Sequence, residues 1–160
     1  MKTLRVVLIA LIATVAMASD TQKSFDTLKT LSGSWAGKGS QGQLVQVSYR
    51  VTSGGSALMS EITGEHEDMI TMFHPDGDRL LMTHYCGAGN QPRMVGTASP
   101  DGKTITFNFL DATNLVAAQP GHMGRLVVTL VDANHHTEDW EFTGNDGKKM
   151  HEVFDLQRKN

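Results

Sequence analysis

The chain has one cysteine, Cys86, so no internal disulfide can tie it and its stability must come from packing. It has no lysine- or arginine-rich stretch to follow a phosphate backbone, which removes nucleic acid from the expected partners. It also lacks a Gly-x-Ser-x-Gly elbow, a phosphate loop and a dinucleotide fingerprint, so the usual hydrolase and nucleotide chemistries have no scaffold here. Repeats, heptads and low-complexity runs are missing as well, leaving one domain. A membrane-spanning helix needs roughly twenty apolar residues, and the run from Val6 to Val15 is far shorter.

What is there begins with that run. Lys2 and Arg5 precede it and the small-x-small sequence Ala16-Met17-Ala18 follows it, the order found in a cleaved secretory signal. The expectation is a signal over residues 1–18 and an exported, periplasmic or secreted domain over residues 19–160, with no membrane insertion once the signal is removed. Ser19, not a cysteine, follows the cleavage point, so a lipoprotein-type anchor has no thiol to use. Loss of the signal leaves twelve basic against seventeen acidic residues, a formal net charge of −5. Such a surface repels phosphate backbones and anionic headgroups.

From about Leu31 onward, short strands alternate with turn sequences at roughly ten-residue spacing, the pattern of an all-β sandwich or barrel. Ser53-Gly54-Gly55, Pro75-Asp76-Gly77, Pro100-Asp101-Gly102, Asp132-Ala133-Asn134 and Asn145-Asp146-Gly147 supply the residues that tight reversals need. Ile105, Phe107 and Phe109 alternate with Thr104, Thr106 and Asn108, and Trp140 and Phe142 alternate with Asp139 and Glu141. Phe25, Leu28 and Leu31 recur at helical spacing behind Asp20 and Thr21, which could cap a short helix that plugs one end. About ten sequential antiparallel strands close most simply into an up-and-down barrel, which removes the exposed edges and is wide enough for a small ligand. The stretch from Asp111 to Met123 is too long for a hairpin turn and too apolar for a solvated loop; it reads as a lid, or as a segment laid on the barrel's outside.

The segment Gly33-Ser-Trp35-Ala-Gly37-Lys-Gly39, following a short helix and opening the first strand, resembles the Gly-x-Trp start of calycin-type barrels: lipocalins, fatty-acid-binding proteins and nitrobindins. In layout the resemblance covers the whole mature chain and extends to many short exported bacterial proteins of unassigned function. It implies a tryptophan packed across the closed end, with glycines that let the strand bend. The Gly-x-Trp-x-Gly-x-Gly form is most similar to nitrobindins. That likeness implies haem held by a histidine of the final strand, here His151, ahead of a basic end with Arg158 and Lys159. The Tyr-Pro that nitrobindins tend to carry after the glycines is missing, and Glu152 stands beside His151 where an apolar residue is usual.

The remaining chemistry gathers around "THYCGAGNQPRM", Thr83 to Met94. Alternation places Leu80, Met82, His84 and Cys86 on the inner face, because Arg79 on the other face is costly inside a barrel. His84 reads as an orienting donor in a largely apolar cavity or as a core histidine paired across strands. A thiolate at Cys86 could act as a nucleophile, but His84 is two residues away, about 7 Å by strand rise, beyond hydrogen-bond reach. Arg93 could grip a ligand carboxylate, or pair with an acid outside the barrel. The clusters "EITGEHEDM" and "NHHTEDWE" lack the convergent, tightly spaced ligands of zinc motifs and read as charged hairpin tips. The seven methionines that remain after signal removal read chiefly as core, with thioethers able to adapt to varied ligands. No catalytic signature emerges. The reading is a monomeric or homodimeric barrel that binds a small, largely apolar molecule, with Met82, His84, Cys86, Met94, Phe107 and Trp140 as wall residues. Haem on His151 stands as the alternative.

Overall fold

The computed structural model describes residues 20–64 and 68–159. The expected signal at 1–18 and the Glu65-His66-Glu67 part of the first acidic cluster lie outside the described residues. None of the described helices is long and apolar enough to cross a membrane.

A helix, α1, spans residues 20–29 and is followed by ten strands. These are β1 Gly33–Lys38, β2 Leu44–Thr52, β3 Ala57–Thr63, β4 Asp68–Asp76, β5 Arg79–Tyr85, β6 Gln91–Ala98, β7 Thr104–Thr113, β8 His122–Asp132, β9 His135–Thr143 and β10 Lys149–Arg158. Each pairs antiparallel with its sequence neighbours, and β1 pairs with β10, so the sheet closes as an up-and-down barrel with a short N-terminal helix, as the strand count requires. The turns sit where glycine supplies the left-handed backbone, for example Gly77 at φ 62° between β4 and β5.

Closure depends on one glycine. Gly37 pairs with Leu156 across the β1–β10 seam, and a β-carbon there would lie 1.7 Å from the Asp155 carbonyl oxygen. The spacing of Gly37 after Trp35 thus matters because β10 approaches too closely for any side chain.

One end is plugged as expected. Phe25, Leu28 and Leu31 are buried under the barrel floor, and Trp35 is buried beside them. Trp35 Nε1 donates to the Leu31 carbonyl at 2.7 Å, and the Arg158 guanidinium lies 4.2 Å from a Trp35 ring centre. Arg158 also donates to the carbonyls of Ser32, Thr30 and Ala133, so one side chain joins the last strand, the helix end and the β8–β9 turn. Thr21 lies within the helix, not before it, and its hydroxyl donates to the Asp78 carbonyl at 2.6 Å.

Two expectations need correction. The long connection is shorter than it reads, because β7 runs to Thr113 and β8 starts at His122, leaving 114–121. Phe109 keeps the register of Ile105 and Phe107, pairing with the buried Met94, yet is 38% exposed; the register slips just past it, where Leu110 is the extra residue. An extra residue in a ladder bends the strand and re-aims its side chains, which period-two counting does not register.

Candidate functional site

The barrel interior is largely apolar but holds two linked polar groups, one of which includes the buried Ser60 of β3, opposite Tyr49. On β9, alternation turns His136, Glu138 and Trp140 inward, with 0%, 1% and 3% exposure. From β2, Tyr49 Oη donates to Glu138 Oε1 at 2.5 Å; Trp140 Nε1 donates to Oε2 at 2.9 Å, and His136 Nε2 lies 3.3 Å from Oε1. The His136 ring stands edge-on to Trp35, with centres 4.3 Å apart, so the cluster rests on the barrel floor. Towards the other end, His84 of β5 packs against Trp140 at 4.7 Å between centres, and its Nδ1 shares a 2.9 Å hydrogen bond with Thr71 Oγ1 of β4.

Burial sets the protonation of these groups. Desolvation pushes the His84 imidazole down to about 4 against the opposing pull of Glu138, so it is neutral at pH 7. Desolvation, with the Glu138 charge second, holds the Tyr49 phenol well above its ordinary value, so it remains a donor. Two ring nitrogens, His84 Nε2 and His136 Nδ1, are buried without a hydrogen-bond partner. Leaving a buried polar group unpaired costs about 1–3 kcal/mol, and each instance calls for a reason.

The 114–121 segment joins β7 to β8 at the end away from α1. Asn90 Nδ2 donates to the Gly121 carbonyl and the Gly121 amide donates to Asn145 Oδ1, both at 2.8 Å. Two side chains from neighbouring turns therefore hold one residue of the segment. A β-carbon at Gly121 would lie 2.9 Å from Asn145 Oδ1 and 3.0 Å from the Phe142 ring, so a side chain there would push on the Asn145 contact. Beside it is a cleft of about 380 Å³ lined by Ala88, Gln119, Gly121, Phe142, Asn145 and Met150, among others. Another cleft, about 450 Å³, lies outside the barrel between α1 and residues 96–102 and contains none of the inner polar side chains. The barrel interior, which holds the two unpaired nitrogens, is the better candidate.

The expected wall residues are placed as follows. Met82, His84, Met94 and Phe107 all face inward with 0% exposure, so no water-sized void adjoins them, and Trp140 joins them at 3%. Cys86 lies one residue past β5, at the start of the hairpin turn, and is half-buried. Arg93 points outward and forks onto Asp111, with Nε to Oδ1 at 2.6 Å. His151 is on the outer wall of β10, 47% exposed in its side chain, with Nδ1 2.9 Å from Asp139 Oδ1 and Nε2 3.6 Å from Glu141 Oε2. Carboxylates and the Lys149 ammonium surround it, with no apolar slot for a porphyrin, so the residues present do not fit a haem there. Among the described residues no group of three or more His, Cys, Asp or Glu side chains is arranged to hold a metal ion.

His136 and Glu138 correct the reading of "NHHTEDWE" as a charged tip: both of these side chains point into the core. Tyr49 was missed, although Val45, Val47 and Tyr49 share one parity in "QLVQVSYRVT" and are all buried. The parity was legible; the partner 89 residues away was not.

No family model and no curated protein matches the chain. Solved structures do resemble it. The crystal structure of Rv2717c from M. tuberculosis matches with a TM-score of 0.59 at 17% identity, over 86% of this chain and 98% of that one. The structure of EF1p2_mFAP2b bound to DFHBI covers 83% of this chain and 97% of its own at 14% identity, but its TM-score of 0.40 is too low to support an argument. At these identities the first likeness shows the fold alone, a calycin-like barrel.

Proposed function

We propose that this barrel binds a small, largely apolar molecule bearing one hydrogen-bonding head, admitted past the 114–121 latch, and performs no reaction on it. The observation that carries this is the pair of buried, unpartnered nitrogens, His84 Nε2 and His136 Nδ1, inside a largely apolar barrel. A core selected for stability alone favours aliphatic side chains there. In the closed conformation the wall is fully packed, so the ligand enters by displacing the flexible side chains of Met82 and Met94 as the latch opens. The leader-like residues 1–18 extend the proposal to an exported protein whose mature chain begins at Ser19.

Native mass spectrometry of the purified protein with 1-dodecanol tests the binding. The expected result is a one-to-one adduct that weakens in His84→Leu, accompanied by a change in tryptophan emission because Trp140 packs on His84. Absence of any adduct at saturation with 1-dodecanol and with its amine and carboxylate counterparts would sink the reading. The mass of the protein recovered from an exporting host checks the cleavage at Ala18 separately.

A further inference from the structure

We infer that the interior selects a ligand whose head carries hydrogens on nitrogen, an amine, an amidine or an N–H heteroaromatic ring, and rejects carboxylates such as fatty acids. The inference rests on the ligand-binding reading above and specifies its chemistry. It follows from the inner charges. Glu138 is 1% exposed, and no lysine or arginine among the described residues is buried. Arg158, the cation nearest the barrel floor, is committed to three backbone carbonyls and the Trp35 ring. His136 is committed to Glu138, so whatever charge it carries is already engaged, and His84 is a neutral ring. A carboxylate entering this space finds no cation and meets a second carboxylate.

The uncommitted hydrogen-bonding positions point the same way. Each carboxylate oxygen accepts about two hydrogen bonds. Glu138 Oε1 takes Tyr49 and His136, while Oε2 takes only Trp140, leaving one acceptor position; the same Trp140 packs on His84. His84 Nε2 is unpaired in either tautomer, since Thr71 engages Nδ1. A head with N–H hydrogens can donate to Glu138 Oε2, and one with two can also meet an accepting His84 Nε2. A carboxylate can supply neither hydrogen.

Three probes sharing a twelve-carbon chain separate the outcomes: dodecylamine, 1-dodecanol and dodecanoate, titrated below their aggregation limits. Salt of about 0.3 M screens the acidic outer surface. Dodecylamine is expected to bind at least about a hundredfold more tightly than dodecanoate, given the repulsion of two buried carboxylates at contact. Glu138→Gln should bring the two within about threefold, and Tyr49→Phe, which keeps the Glu138 charge, should preserve the discrimination. If Glu138→Gln does not fold, the wild-type order of the probes decides. Dodecanoate binding as tightly as the amine overturns this inference and leaves the ligand-binding reading intact; binding by none of the three overturns both.

Discussion

His84 and Thr71 form a pair whose energetics can be separated by mutation. His84→Leu leaves the Thr71 hydroxyl buried without its partner and should cost about 1–3 kcal/mol in urea unfolding. Thr71→Val combined with His84→Leu should recover most of that loss, because replacing both partners by apolar groups of similar shape is close to neutral. A double variant no more stable than the single one would show that the imidazole is held by something other than Thr71. The same residue predicts a pH dependence. The unfolded imidazole titrates near 6.5 and the folded one near 4, so between those values the unfolded chain binds more protons. Stability should therefore fall as the pH drops from 6.5 to 4, by up to ~3 kcal/mol, and His84→Leu should flatten this part of the curve. His84 was legible in the sequence as an inward residue of an alternating strand. Its unpaired nitrogen was not, because that depends on which strands lie opposite.

The segment between β7 and β8 shows where linear reading stops. Its apolar residues and length mark Asp111–Met123 as unusual, but β7 and β8 extend into it and leave only 114–121 outside the ladders. Neither asparagine of the latch carries a local signature: Asn90 and Asn145 meet at Gly121 from turns on either side. By contrast, the turns and α1 were legible because glycine, proline and three-residue apolar spacing act locally. If the latch governs entry, Asn145→Ala should speed amide exchange across 114–121 and raise the probe association rate, with about 1 kcal/mol lost in global stability. Unchanged exchange at Gly121 would mean that Asn90 alone holds the segment.

Closure of the barrel rests on residues far apart in the chain. Trp35 pairs with Arg158, and Gly37 admits the Asp155 backbone. Gly37→Ala should therefore cost more than about 4 kcal/mol or prevent folding, well above an ordinary surface substitution. Circular dichroism and size-exclusion chromatography of the expressed variant would settle this, and a native-like melt would show that the seam can widen. Sequence alternation had indicated a closed sheet, since ten strands with two bare edges would invite aggregation. It could not show how one glycine makes the seam.

That seam also orders events during synthesis. The strand that completes the cylinder is the last of the ten, and its partner is the first. A growing polypeptide can assemble hairpins one after another, yet its first strand keeps an open edge until the final ten-residue strand has emerged. Until β10 reaches β1 the sheet is an open ribbon, and the pairing of these two strands is what seals it.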